Sequence, residues 1–145
     1  MSSRNLSHGY TNEIETTPEG ILKRFVGPGA MQRCNTEKNL LTFLVNKLPI
    51  PQLQNNTPSG EILMNTIDAL HAQDGINTDS NATILSGLGS LLKQIQALPI
   101  QPLGEFLAGN GPVLVHGDYG PQNYLVDPKT YQPLALIDWE WAHLG

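Results

Sequence analysis

Two leucine-marked stretches carry the clearest periodic signal in the chain. Over 31–47, Leu40, Leu41, Leu44 and Leu48 recur at helical spacing. They predict a helix that Pro49 and Pro51 bring to an end. Glu37 falls four residues before Leu41 and seven before Leu44, so it shares the apolar face. A carboxylate there is costly unless something pairs with it. A second helix is predicted over 82–98, with Leu85, Leu88, Leu92 and Ile95 on one stripe. Asp79, Ser80 or Asn81 is its expected cap.

The remaining apolar runs are short and read as strands. GILKRFV at 20–26 follows a turn at 18–20. PQLQ and EILMNTI flank the turn Thr57-Pro58-Ser59-Gly60. Further strands are expected at 113–115, 123–126 and 134–137, with Asp127-Pro128-Lys129-Thr130 reversing the chain between the last two. Residues 72–80, AQDGINTDS, read as a polar connection. Strands with one helix thus come first, then a helix with short hairpins. Such an order predicts an α+β chain in two small lobes, joined near 65–80. It does not alternate as a doubly wound sheet would.

The densest chemistry lies in VLVHGDYGPQNYLVD, residues 113–127. A strand runs into Asp118, and Asn123 follows five residues later, beyond a Gly-Pro bend. Fifteen residues on, the strand LALI ends in Asp138. Side chains at strand ends are held by the sheet yet open to a cleft. Two carboxylates and a carboxamide offer only hard oxygen donors, which suit Mg²⁺ with phosphates completing its shell. Phosphoryl transfer needs little more: metal, a cation on the phosphates and a base for the acceptor hydroxyl. Lys23 on the ILKRF strand can supply the cation, and Glu37 is its natural partner. Taken singly, Asp118 and Asn123 would suit an ordinary turn, and Lys23 an edge strand. The matching strand end at Asp138 and the carboxylate on the apolar helix face make them a set.

Composition narrows the alternatives. The chain has 145 residues, of which only 14% are charged, against roughly 25% in ordinary domains. A net charge of −5 gives no electrostatic footprint for nucleic acid. No apolar run of about 18 residues predicts a membrane span. The first residues, MSSRNLSHGYTNE, lack the apolar core of a signal peptide. The single cysteine, Cys34, cannot form an internal disulfide and is expected within the first helix. A soluble, cytoplasmic setting follows as the expectation. His8, His71 and His143 show no metal spacing, and Trp139 and Trp141 read as packing groups. There is no G-x-S-x-G, and SGLGS at 86–90 lies inside the second helix. The GxGxxG dinucleotide fingerprint is absent as well.

With these residues in view, the chain resembles the aminoglycoside phosphotransferase family, which includes choline and other small-molecule kinases. HGDYGPQN with LIDWE is similar to the family's catalytic loop and metal-binding motif. GYTNEIETTPEGILKRF looks like its phosphate-covering loop and lysine strand. NTEKNLLTFLVNKLPIPQL and ILMNTIDALHAQDGI look like its glutamate helix and its hinge. The resemblance implies a protein-kinase-like two-lobe fold. Residues 1–67 would form a small antiparallel-sheet N-lobe with one helix, and 68–145 a partial helical C-lobe.

It also implies roles. Lys23 would contact the α/β-phosphates of ATP, with Glu37 orienting it. Gly9 and Thr11 would lie in the covering loop, and Met64, Asn65 and Thr66 would meet the adenine. Asp118 would act on the hydroxyl of a small-molecule acceptor, and Asn123 and Asp138 would bind Mg²⁺. His116 would be a scaffold residue. Family members usually continue well past the second metal aspartate, whereas this sequence stops at Gly145. A lobe cut there is expected to expose apolar surface and to be open to self-association. The rival expectation is a nucleotide-binding module that has lost catalysis.

Overall fold

The computed structural model describes residues 12–54 and 57–145. Its first half is a three-stranded antiparallel sheet, β1 (Glu13–Thr17), β2 (Gly20–Arg24) and β3 (Glu61–Met64), in the order β1-β2-β3. Helix α1 (Ala30–Leu44) packs against it. Alternation along β2 does the positioning. Lys23 and Phe25 point into the molecule, while Arg24 faces out and pairs with Glu13, Glu15 and Glu61. Lys23 sits opposite Ile14 on one side and Ile62 on the other. β1 is more exposed than β2, as suits an edge strand.

α1 buries Arg33, Cys34, Glu37, Leu40, Leu41 and Leu44, a continuous helical stripe. Glu37 thus lies on the apolar face, as its spacing requires. The helix ends at Leu44, three residues earlier than expected. Val45 is extended and Asn46 adopts a left-handed conformation with φ 65°. The amides of Lys47 and Leu48 both return to the Leu44 carbonyl, so Leu48 is buried from beyond the helix. PQLQ forms an isolated bridge, Leu53 to Met64, flanked by the bonds of the Gln54 amide to the Leu63 carbonyl and of the Asn65 amide to the Gln52 carbonyl; Pro51 has no N–H with which to lengthen the ladder. Of EILMNTI, Glu61–Met64 form the strand, and the Asn65 amide makes one further bond, to the Gln52 carbonyl.

The second half is built on two small sheets and a helix. β4 (Leu70–His71), β6 (Tyr124–Val126) and β7 (Pro133–Leu136) form one antiparallel sheet in the order β4-β6-β7. β5 (Leu114–Val115) pairs with β8 (His143–Leu144). Helix α3 (Asn81–Gln96) lies beneath them. The stretch 72–80 is not all connection, since α2 (Ala72–Gly75) opens it. The turn at 127–130 forms as expected: Asp127 accepts hydrogen bonds from the amides of Lys129 and Thr130.

α3 is rotated from the expected stripe. Ile84, Leu88, Leu91 and Ile95 are buried, while Leu85 is 59% and Leu92 38% exposed. Both stripes share Leu88 and Ile95, and leucine count alone cannot separate them. The close approach of α3 to β6 does. A Cβ at Gly87 would meet the Tyr124 hydroxyl at 2.3 Å, so Gly87 turns inward and carries Ile84 and Leu91 with it. Of the three expected caps Ser80 takes the N-cap position, but its side chain makes no capping hydrogen bond. The Asn77 carboxamide oxygen accepts from the Asp79 and Ser80 amides instead, while the Ser80 hydroxyl donates to the Gly75 carbonyl.

Neighbouring residues of α3 should therefore respond very differently to truncation. Ile84→Ala is expected to cost ~2–5 kcal/mol and Leu85→Ala no more than ~0.5 kcal/mol, read from urea unfolding midpoints.

Candidate active site

The two halves meet in a cleft of about 1020 Å³. β1 and β2 form its roof, Met64 and Asn65 its back, and the loops around Asn123 and Asp138 its floor. At its inner end Lys23 bridges two carboxylates. Its Nζ lies 2.8 Å from Glu37 Oε1 and 2.9 Å from Asp138 Oδ1. Lys23 is 5% and Glu37 1% exposed, so neither relies on water for solvation. The second Glu37 oxygen accepts the Trp139 amide hydrogen.

Burial and charge oppose one another at this bridge. Burial disfavours the Lys23 ammonium, but Glu37 and Asp138 more than offset it and hold the lysine protonated above its ordinary range. Burial pushes the Glu37 carboxyl up, and Lys23 pulls it back only in part. Asp138 is less enclosed. Burial raises its carboxyl too, but the charge of Lys23 prevails and holds it below the usual carboxylate range.

Asp138 follows β7 with φ 67°, in the left-handed region. A non-glycine residue there is uncommon and needs its surroundings to hold it. Trp139 supplies part of that hold, fully buried with its indole donating to the Leu136 carbonyl.

The other loop explains the His-Gly-Asp sequence. Gly117 has φ 93°, and a Cβ there would stand 2.3 Å from the Trp141 carbonyl oxygen. Only glycine permits both the turn and that approach. Buried His116 bridges the two loops. Its Nε2 is 2.9 Å from the Ile137 carbonyl, which makes it the donor, so Nδ1 is free to accept the Asp118 amide hydrogen. His116 is thus a strut between the Asp118 and Asp138 loops.

Asp118 is half-buried, and its carboxylate accepts from Asn123 Nδ2 at 3.0 Å and from Gln122 Nε2 at 3.3 Å. The same Asn123 nitrogen also donates to the Asp118 carbonyl. With its nitrogen spent, Asn123 has its carboxamide oxygen left for another ligand. Asn123 and Asp138 line the same cleft. An amide oxygen and a carboxylate there are donors of the kind Mg²⁺ takes. Among the described residues no three His, Cys, Asp or Glu side chains are disposed to hold a metal by themselves.

The structure therefore brings Lys23, Glu37 and Asp138 into contact, and joins Asp118 to Asn123. Met64 and Asn65 line the back of the cleft; Thr66 is exposed beside them. The Asn65 amide and its side-chain oxygen are both engaged with the Gln52 backbone. Gly9 and Thr11 lie outside the described residues. Sequence reasoning missed Arg33, Glu140 and Gln122. Arg33 lies one helical turn from Glu37 on the same face, and Glu140 is a carboxylate between two tryptophans. Both were available signals of buried charge. No helix among the described residues is long and apolar enough to cross a membrane.

Comparison with known proteins bears on the fold and on the C-terminal segment. A model of the phosphotransferase enzyme family matches residues 106–145, the segment with Asp118, Asn123 and Asp138. No curated protein matches the sequence. Among solved structures, a GDP complex of an aminoglycoside 2′-phosphotransferase IIIa variant aligns with TM-score 0.74 at 14% identity, over 97% of this chain and 66% of that one. The aminoglycoside-3′-phosphotransferase of type VIII aligns with TM-score 0.72 at 14% identity, over 99% and 71%. A Rio2 kinase from Chaetomium thermophilum, solved with ADP/Mg²⁺ and phosphoaspartate, gives 0.66 at 18% identity, over 98% and 48%. The chain thus spans 48% to 71% of the length of these structures. It spans 59% of the length of a further one, from Ralstonia eutropha. The fold is α+β and kinase-like, and the resemblance to aminoglycoside phosphotransferases is borne out.

Two outcomes follow from the buried charges. Lys23→Met strands the Glu37 carboxylate and is expected to cost ~3–5 kcal/mol at neutral pH, read from urea unfolding. Burial holds the His116 imidazole below its ordinary value of 6.5. The unfolded chain then binds the extra proton first, so stability is full above that value and declines as pH falls below it. His116→Gln should flatten this decline in melting temperature between neutral pH and about 5.

Proposed function

We propose that this chain is the nucleotide-binding and catalytic part of an ATP-dependent phosphotransferase whose acceptor is a hydroxyl of a small molecule. The observation that carries this reading is the one cleft that gathers a buried, protonated Lys23 and the strand-end residues Asn123 and Asp138, with Asp118 tied to Asn123. Lys23 is held by Glu37 with its ammonium at the inner end of the cleft, where it would neutralise phosphate oxygens. Met64, Asn65 and Thr66 would meet the base. With the Asn65 amide already engaged, neighbouring carbonyl and amide groups are left to read it.

In the reaction the acceptor oxygen bonds to the γ-phosphorus, the bond to the β-phosphate oxygen breaks, and ADP departs. Asp118 takes the acceptor's proton, its carboxylate aimed by the amide groups of Asn123 and Gln122. Asn123 and Asp138 would hold Mg²⁺, which supplies charge neutralisation on the phosphates when bound. Lys23 would stay protonated throughout, because its two carboxylate partners favour the cation. Aminoglycoside, choline-like and sugar acceptors all fit this chemistry, and fold does not choose among them. The comparison structures solved with GDP and with ADP/Mg²⁺ support a nucleotide and metal reading.

Calorimetry of ADP or ATP binding with and without Mg²⁺ tests the proposal. Wild type is expected to require the metal. Asp138→Ala should weaken binding at least tenfold, while Asp118→Asn should bind nucleotide normally and lose ~10²-fold or more in phosphoryl transfer. A folded wild type that binds no nucleotide would mark the site as inherited but idle.

A further inference from the structure

The residues after Asp138 are fastened to α1 in a way the mechanism above leaves unexplained. Glu140 is 8% exposed, and its carboxylate lies 2.6 Å from Arg33 Nη1, itself on a residue 5% exposed. Arg33 and Glu37 stand one turn apart on α1 and face the same way. They engage consecutive residues of the loop: Glu37 takes the Trp139 amide, and Arg33 takes the Glu140 side chain. The other Arg33 donors reach the Val26 and Pro28 carbonyls, which fixes the guanidinium plane. Its face lies 5.6 Å from the Trp141 ring. Asn12, at the start of β1, completes the cluster. Its nitrogen donates to both Glu140 oxygens, and its oxygen accepts from Arg33 and from the Val26 amide.

An ion pair this deeply buried adds little stability over an apolar pair of the same volume. Its value must lie in geometry. Asp138 holds a left-handed backbone that only fixed flanks can maintain, and β1 must lie at a set height above the cleft. One cluster touches both. We propose that Arg33 and Glu140 are positioning residues that set the orientation of Asp138 and, through Asn12, the placement of the β1 lip. The proposal rests on the phosphotransferase reading for its purpose, and its test separates the two. A lysine would not substitute for Arg33, because a point charge cannot fill four fixed hydrogen bonds.

The test replaces the pair with apolar residues, Arg33→Met/Glu140→Leu, and adds the conservative singles Arg33→Lys and Glu140→Gln. Three quantities are measured: melting temperature, acrylamide quenching of tryptophan, and ADP affinity against Mg²⁺ concentration. The only tryptophans, Trp139 and Trp141, flank Glu140, so emission reports this loop in the metal-free protein. The double variant should melt close to wild type. Its quenching should rise, and the Mg²⁺ needed for half-maximal ADP binding should increase about tenfold. Arg33→Lys should show the same metal shift. If the double variant fails to fold, the two singles carry the test alone. Unchanged quenching and unchanged Mg²⁺ demand in folded variants would overturn the positioning role and leave the phosphotransferase reading intact. A wild type with no Mg²⁺-dependent ADP binding would instead overturn that reading. The restraint on the loop would then stand or fall on quenching alone.

Discussion

A lysine ammonium withdrawn from water, with a carboxylate on either side, is the constraint from which this architecture follows. Neither charge could be buried alone, since desolvation would neutralise or expel it. β2 must therefore deliver Lys23 inward, α1 must present Glu37 at the same depth, and the second half of the chain must return Asp138 to meet them. The three come from a strand, a helix and a loop, and each is oriented by its own element's periodicity. The cleft is the space left beneath this junction.

Around that junction the second half is built as paired loops. Gly117 and Asp138 both occupy left-handed backbone, and His116 ties their segments by one hydrogen bond in each direction. The sharp turns at both strand ends turn Asp118 and Asp138 out of their sheets, where regular β-structure would keep them in the plane of pairing. The buried imidazole fixes their separation. The local strain is small in energy and large in geometric effect.

What the sequence reveals follows from how each feature is encoded. Glu37 on an apolar stripe is legible because helical period and polarity conflict at one position, and such conflicts mark function. The strand-end aspartates are legible for a like reason: an apolar run stops in a carboxylate. The stripe of α3 is ambiguous in sequence because Leu85 and Leu92 satisfy the same period as Ile84 and Leu91, and only the contact at Gly87 breaks the tie. PQLQ pairs only briefly, because its proline at 51 carries no N–H to extend the ladder beyond the Leu53–Met64 bridge. Arg33 and Glu140 each carry a local sign of burial, but nothing local pairs them, because the two are 107 residues apart. Short-range pattern reports faces of elements, not which distant faces meet.

That separation bears on how the molecule comes into being. Lys23 and Asp138 are 115 residues apart, and Asn12 and Glu140 128. Closing such loops costs chain entropy before any contact repays it, so these ties belong among the late events of folding. The Lys23–Glu37 tie spans only 14 residues and carries a far smaller loop-closure cost. Within the folded first half, Glu37 alone already gives the inward-facing lysine a counter-charge, so the nearer partner needs only a short loop to close while the Asp138 tie needs a long one.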